Sequence, residues 1–279
     1  MSEDRETIPQ HIKREVRQRC GFGCVICGIP VVHYDHMVEY SVEPEHVADN
    51  ITLLCPTHHQ EKSSGRLRLP KVRRYDADPF ALKYPMAGGH NLTYFDGEEF
   101  SFALGSNLFT MTSIYGYPSG GAIVVDGVQV LAARALDGEV LVRAVFRDED
   151  NNPLIFIKDN EYRMGRGAWD IRLEGKRLKM WLAEKRIGVN MRFEPSGVFI
   201  DRARIYANGY FFEVHPDRDL QVAHSVRWAE CHFPGTGIFA GDLRGNNIGN
   251  AIYLEEWFRR GRTDAPAFFR LAPEDGPDA

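Results

Sequence analysis

Two pairs of metal-binding residues constrain the first part of this chain more than any other feature of its sequence. Cys24-x-x-Cys27 is followed, after 27 intervening residues, by Cys55-x-x-His58. Two residues between ligands allow one tight turn to offer both side chains to one ion, and zinc accepts four such ligands in a tetrahedron. The spacing therefore predicts a Cys₃His zinc site that ties a loop near residue 24 to a segment beginning at residue 55.

The distribution of the cysteines favours metal binding over disulfides. Four of the five cysteines lie within the first 55 residues, and the fifth is Cys231. The first ten residues carry acids and no apolar run, so we expect no secretory signal and a cytoplasmic, reducing location. Clustered CxxC pairs in that setting are more often metal sites than disulfides. Cys20 is expected to pack at a helix end rather than to bind zinc.

The overall composition is that of an ordinary globular protein. Of its 279 residues, 43% are hydrophobic and 26% are charged. No apolar run approaches the roughly 20 residues that a membrane-spanning helix needs, so no membrane partner is expected. The formal net charge is −5, yet residues 62–74 hold six Lys and Arg residues and no acid. Such a run suits either a solvated linker or a DNA-binding surface.

Residue periodicity changes along the chain. A helix is predicted over 7–19, with Thr7 as its N-cap and Gln10 completing a capping box. We expect a strand, a turn and a second strand over 31–40, and a short helix that begins at Pro56. From residue 99 onward, apolar and polar residues alternate as in half-buried strands. Asn208-Gly209 predicts a hairpin.

These patterns predict an α+β protein in which a small zinc-bound module precedes a larger β-rich domain. The predicted boundaries are 1–70 for the module, 71–98 for a Pro- and Gly-containing linker, 99–262 for the β-rich domain and 263–279 for a tail. An antiparallel sandwich is favoured, with a barrel or a solenoid as alternatives. Asp242–Gly249 is predicted as a loop and 252–260 as a short helix. Trp169-Asp170 and Asp159-Asn160-Glu161 are interpreted as a core tryptophan and a polar turn.

A second set of polar residues lies within the zinc motif. The ordered segments are CGFGCVICG at 20–28, Tyr34-Asp35-His36, DNITLLC at 49–55 and HHQEK at 58–62. In order, spacing and flanking apolar residues they resemble the HNH nuclease module, whose fold is the ββα-metal hairpin and helix. The resemblance covers about residues 5–68 and says nothing about 99–279.

The resemblance implies a role for each matching residue. His36 matches the general base, Asp35 the metal-binding carboxylate, and His59 the metal ligand on the helix. Asn50 would hold the loop or orient the base. The implied ion is Mg²⁺ or Mn²⁺, which stabilises charge on the phosphate. Neighbouring Asp35 and His36 would point to opposite faces of a regular strand, which requires a bend.

Position 58 departs from the family pattern. Many zinc-bearing members have a cysteine there, so the neighbouring residues His58 and His59 could exchange roles. The two-residue spacing from Cys55 assigns His58 to zinc. His33 is interpreted as a surface histidine without a role.

The resemblance also implies that the partner is DNA, and we expect this DNA to be double-stranded. Phosphate contacts are predicted for Arg17, Arg19, Lys62, Arg66 and Arg68. The β-rich domain would serve targeting, regulation or oligomerisation, including assembly of a homo-oligomer. The alternative function is a non-catalytic, zinc-stabilised protein that binds nucleic acid or another partner. A third hypothesis is that the β-rich part carries an unrecognised enzymatic activity of its own.

Overall fold

The computed structural model describes most of the chain. None of the helices within the described residues is long and apolar enough to cross a membrane. The described ranges are 7–83, 86–87, 95, 99–112, 119–136, 139–165, 167–216, 218–222, 226–234, 237–240 and 251–254.

Residues 7–83 fold into a small unit of helices around a two-stranded sheet. Its elements are α1 (Gln10–Cys20), β1 (His33–His36), a 3₁₀ turn (Ala48–Asn50), β2 (Ile51–Leu54), α2 (Pro56–Ser63), α3 (Leu69–Ala77) and α4 (Phe80–Lys83). Strands β1 and β2 pair antiparallel, with Asp35 opposite Thr52 and His36 opposite Ile51. The strand predicted to follow β1 before residue 40 is absent, because β2 supplies the partner instead.

Helix α1 starts later than the sequence predicts. Its N-cap is Pro9, which makes no side-chain capping bond, so the predicted Thr7 cap is wrong. The helix ends at Gly21, whose φ of 71° lies in the left-handed region, and the Phe22 amide closes back onto the Arg17 carbonyl at 2.8 Å. Glycine accepts this conformation without a Cβ penalty.

A compact apolar cluster holds this unit together. Val16 and Cys20 on α1 are fully buried and belong to the same cluster as the β2 residues Ile51 and Leu53. Burial raises the pKa of Cys20 to about 12, so this thiol stays protonated. It behaves as a small core residue, as predicted.

The segment predicted as a linker begins with two helices. Helix α3 buries Val72 and places Pro70 in its first turn, where a missing amide hydrogen costs nothing. The linker proline at 85 and the linker glycines at 88–89 and 97 lie outside the described residues.

The rest of the described chain is almost entirely strand. Its strands are β3 (Met86–Ala87), β4 (Glu99–Leu104), β5 (Asn107–Thr112), β6 (Ser119–Val125), β7 (Val128–Leu136), β8 (Glu139–Arg147), β9 (Pro153–Lys158), β10 (Glu161–Gly165), β11 (Asp170–Glu174), β12 (Arg177–Ala183), β13 (Arg186–Glu194), β14 (Gly197–Ala207), β15 (Tyr210–Val214), β16 (Leu220–Val222), β17 (Val226–Trp228), β18 (His232–Pro234), β19 (Gly237–Ala240) and β20 (Ala251–Leu254). The predicted β-rich region is confirmed, and the hairpin at Asn208-Gly209 joins β14 to β15.

These strands form two sheets. One has eight strands in the order β20-β19-β6-β7-β8-β9-β10-β3, and the other has ten, with β11 to β17 in sequential order and β4, β5 and β18 attached. Most pairs are antiparallel, but β4 pairs parallel with β14, β18 with β5, and β19 with both β6 and β20. Within the described strands neither sheet closes into a barrel.

One expectation for the end of the chain is wrong. Residues 252–254 belong to strand β20 rather than to a helix. The parallel partner β19 supplies hydrogen bonds that local sequence does not reveal. The loop predicted at 242–249, residues 255–260 of that helix and the tail at 263–279 lie outside the described residues.

A buried ion pair joins the first unit to the β-rich region. Arg17 donates from Nε and Nη2 to the two carboxylate oxygens of Asp170, each at 2.7 Å, and Asp170 is fully buried. The Arg17 Nη1 atom also donates to the Tyr34 hydroxyl on β1. Phe22, at a φ of 64°, packs into the apolar cluster of the sheets. Bulky residues rarely adopt this backbone, so tertiary packing must hold it.

Trp169 also lies at this junction. The Arg14 guanidinium lies 4.4 Å from the centre of its ring, and the Gln18 side chain donates to its carbonyl at 2.6 Å. Trp169 is only half-buried, and Asp170 begins strand β11. The interpretation of Trp169 as a core tryptophan is therefore wrong, whereas Asp159 and Asn160 do form a polar turn, between β9 and β10.

Candidate functional site

Four predicted zinc ligands converge at the start of α2. Cys24 and Cys27 lie in the loop after α1, while Cys55 caps α2 and His58 lies in its first turn. All four ligand atoms lie within 4.8 Å of one another. The Cys27 and Cys55 sulfurs are 3.8 Å apart, and His58 Nδ1 is 3.4 Å from Cys24 Sγ and 3.2 Å from Cys55 Sγ.

These separations fit a zinc tetrahedron. Bond lengths of about 2.3 Å to sulfur and about 2.0 Å to nitrogen place tetrahedral sulfurs roughly 3.8 Å apart and a sulfur and nitrogen roughly 3.5 Å apart. A hydrogen bond from the Cys27 thiol lowers the pKa of Cys24, which favours the thiolate at this position. The thiolate is the form that binds metal. The cluster is therefore compatible with zinc.

The local backbone of the zinc loop requires a glycine. The Gly28 amide donates to the Cys24 carbonyl, and the Cys24 amide donates to the Ile29 carbonyl. A Cβ on Gly23 would lie 2.5 Å from the Gly28 carbonyl oxygen, which is closer than atoms can approach. Glycine at position 23 therefore permits the tight turn that brings the two cysteines together.

A second polar cluster lies where β1 faces α2. The Asp35 Oδ1 atom is 3.4 Å from His59 Nε2, and Oδ2 is 2.8 Å from Lys62 Nζ. The Lys62 amine donates its hydrogen bond to the His36 carbonyl at 2.6 Å. Oδ2 is thus buried beside a cation, with no directed hydrogen bond among the described residues.

The separation of Asp35 and His59 suits a shared metal ion. An octahedral ion with ligand bonds of about 2.1 Å holds adjacent ligand atoms roughly 3.0 Å apart. The 3.4 Å between Oδ1 and Nε2 is within a few tenths of that distance. The two side chains therefore fit the group that the resemblance implies.

His36 projects away from that pair. Its Nε2 lies 3.1 Å from His46 Nδ1, and the His46 ring stacks on Tyr40 with centroids 4.8 Å apart. Only 7% of His36 is exposed. The alternation expected for neighbours on a strand is therefore retained, with Asp35 directed at α2 and His36 at the loop after β1.

Both side chains nevertheless line one open cleft of about 1030 Å³. The cleft lies at the end of β1, so residues on either face of the strand reach it. Its lining comes from Tyr34–Met37, Glu39–Ser41, His59, Lys62–Ser63, Gly65 and Leu67–Leu69.

Asn50 fixes the backbone that follows His36. Its Oδ1 accepts from the Val38 amide at 2.8 Å, and its Nδ2 donates to the Val38 carbonyl at 3.1 Å. The Asn50 carbonyl accepts from the Met37 amide at 2.7 Å. This side chain therefore holds the loop, one of the two roles implied for it.

The predicted phosphate-binding residues divide into two groups. Arg17 is buried against Asp170, and Arg19 pairs with Asp76 while also donating to the carbonyls of Ala48 and Ile51. The Arg17 guanidinium is buried, and the partly exposed Arg19 guanidinium is already bonded within the fold, so the structure does not favour phosphate contact by these two residues. The other three predicted residues, Lys62, Arg66 and Arg68, lie at or beside the cleft.

Sequence reasoning missed His46 and the ion pair between Lys62 and Asp35. His46 is the only histidine between His36 and His58, and this position inside the motif was the available signal. His33, given no role, is exposed and lies with its ring 5.2 Å from that of His59.

Comparison with curated proteins and with solved structures gives no match. The family comparison covers a short segment that begins at the first zinc ligand and ends beyond α2. It contains all four residues of the zinc cluster, the whole Asp35 cluster and the β1–β2 pair, and it leaves α1, α3 and the two large sheets outside. Residues 24–65 match the family model described as HNH endonuclease.

Proposed function

We propose that the chain is a metal-dependent HNH endonuclease that hydrolyses phosphodiester bonds in double-stranded DNA. The observation that carries the proposal is the pairing of Asp35 with His59 in a cleft that also contains His36. The family match over 24–65 supports the same reaction class.

In this proposal Asp35 and His59 hold a catalytic Mg²⁺ or Mn²⁺. A carboxylate combined with an imidazole suits Mn²⁺ and tolerates Mg²⁺. When bound, such an ion stabilises negative charge that develops on the phosphate and on the leaving oxygen. Lys62, 2.8 Å from Asp35 Oδ2, balances the carboxylate charge and presents a cation to the cleft.

His36 acts as the general base that takes a proton from the attacking water. Imidazole suits this role because its ordinary pKa lies close to neutral pH. The ring is oriented through its contact with His46, and Asn50 fixes the backbone that follows it. Both contacts limit how far the base can move relative to Asp35.

Zinc bound by Cys24, Cys27, Cys55 and His58 has a structural role. His58 and His59 are consecutive in α2, so binding of His58 to zinc also fixes the position of the His59 side chain. A closed set of four protein ligands leaves no position for substrate. The ion would therefore stabilise the platform without entering the reaction.

The β-rich region is proposed to target or regulate the nuclease, or to assemble it into oligomers. The Arg17–Asp170 pair supports a fixed attachment rather than a flexible tether. A sandwich is also proposed for its sheets, because one apolar cluster includes residues of both, such as Val142 on β8 and Phe212 on β15. The division at residues 70, 98 and 262 stays a prediction.

A plasmid-nicking assay tests the reaction. Purified protein is incubated with supercoiled plasmid and Mg²⁺ or Mn²⁺, beside the His36→Ala and His33→Ala variants. Loss of a general base should lower the rate by roughly 10²- to 10⁴-fold. His33→Ala is the matched control, since His33 lies on the same strand without a proposed role.

Equal cutting by His36→Ala and the wild type would contradict the assignment of the base. If the wild type binds DNA but cuts with neither ion, the non-catalytic binding function becomes the better account.

A further inference from the structure

Helix α3 carries a stripe of exposed basic residues. Arg68 immediately precedes the helix, and Lys71 and Arg74 follow at intervals of three residues. Residues three apart are neighbours on a helix surface. Within the part of the chain that the structure describes, none of these three side chains forms an ion pair or a hydrogen bond. Their charges are therefore available to a ligand.

The stripe begins at the cleft. Arg68 lines the cleft together with Lys62, and the interval from 62 to 74 contains no acid. The other lining segment, after β1, contributes Glu39. Glu43 and Glu45 follow it and are exposed. The basic charge is thus concentrated on the side formed by α2 and α3.

We propose that Arg68, Lys71 and Arg74 form a phosphate-binding track that holds the backbone of duplex DNA beside the cleft. The inference rests on the proposed function for the class of ligand. Six residues of helix rise by about 9 Å. This length exceeds the axial spacing of about 3.4 Å between successive phosphates of one strand, so the track can contact more than one of them.

The packing of α3 explains why these residues face outward together. Leu69 and Val72 pack into a small apolar cluster, and Asp76 is buried, which fixes the inward face of the helix. Arg73 lies two residues from Lys71, which is about 200° around the helix axis. Like the track residues it is exposed, but it projects from the other flank, so it provides a matched control.

A track of this kind binds phosphate and does not read bases. Guanidinium and ammonium groups on phosphates fix position and register but carry no sequence information. Binding should therefore depend steeply on salt and little on sequence.

The test measures binding of a labelled 20-base-pair duplex over a series of salt concentrations, using the full chain without added Mg²⁺ or Mn²⁺. The variants are Arg68→Gln, Lys71→Gln and Arg74→Gln, singly and combined, with Arg73→Gln as the control. Each lost phosphate contact should reduce the slope of log affinity against log salt by about 0.9 and lower affinity by roughly eightfold at 0.1 M salt. Arg73→Gln should change affinity less than about twofold, since it makes no contact.

Unchanged zinc content and circular dichroism show that each variant is folded. Wild-type affinity in the triple variant would overturn the track, as would an equal effect of Arg73→Gln and Arg74→Gln. The nicking assay separates this inference from the proposed function. If the wild type binds DNA through the track but does not cut it, only the proposed nuclease activity is refuted. If the wild type cuts DNA and the triple variant still binds DNA with wild-type affinity, only the track is refuted.

Discussion

The two polar clusters of residues 24–62 each include a histidine of α2 but differ in how completely they enclose a site. Cys24, Cys27, Cys55 and His58 bring four ligand atoms within 4.8 Å of one another. Asp35 and His59 bring together only two, along the wall of an open cleft. Closed four-ligand zinc sites are structural, whereas catalytic metal sites keep positions open for water or substrate. This difference in how far protein ligands enclose the site is the main reason to assign the two clusters different roles.

The clusters are also mechanically linked. Cys55 and His58 fix the first turn of α2, and His59 and Lys62 follow on the same helix. Damage to the closed cluster should therefore disable the open one, whereas damage to the open cluster should leave the closed one intact. This asymmetry makes the comparison testable.

The largest effect is expected from breaking the closed cluster. Cys55→Ser should remove bound zinc and unfold residues 24–65, because structural zinc contributes about 10–16 kcal/mol in zinc-finger peptides near neutral pH. Elemental analysis should fall from about one zinc per chain in the wild type to near zero, following the one-ion stoichiometry of such sites. Limited proteolysis should then cut within the segment.

Cys20→Ala is the matched control. Cys20 is a buried thiol beside Asp76 that belongs to no ligand cluster, so its loss should leave zinc content unchanged. A folded, active Cys55→Ser protein would show that the four residues do not form a structural metal site.

A smaller but still large effect is expected at the junction with the sheets. Asp170→Asn removes the charge that compensates buried Arg17. Breaking a buried pair by removing one partner typically lowers the free energy of unfolding by about 3–5 kcal/mol. Urea denaturation followed by circular dichroism should show this loss.

Asp201→Asn provides the comparison for the junction, because Asp201 pairs with Arg177 in a partly exposed bridge at 2.9 Å. Exposed bridges contribute about 0–1 kcal/mol. Equal destabilisation by the two substitutions would mean that the Arg17–Asp170 pair does not anchor the module.

Much of the closed cluster could be predicted from sequence because zinc imposes a short spacing on its ligands. The interval of two residues after Cys55 assigns His58, and not His59, to zinc. The structure places the two histidines in different clusters. The hairpin at Asn208-Gly209 was predictable for a similar reason, since the turn needs backbone angles that these residues accept.

Features that depend on distant partners could not be predicted. Arg17 and Arg19 look like surface bases in a helix, but Asp170 and Asp76 meet them from 153 and 57 residues away. His46 reaches His36 only because the intervening loop folds back. The parallel pairing of β19 with β20 likewise makes a strand of a segment whose local pattern suggested a helix.

The most direct test of the central claim is one experiment on Asp35→Asn, in which zinc content and Mn²⁺-dependent plasmid nicking are measured on the same sample. Asp35 pairs with His59 and Lys62, and within the described part of the chain it forms no ion pair with a zinc-cluster residue. The account predicts one zinc per chain, as in the wild type, together with a loss of nicking of roughly 10²-fold or more, comparable to removal of a catalytic group. Nicking at the wild-type rate by the zinc-loaded variant would contradict the assignment of the open cluster to catalysis.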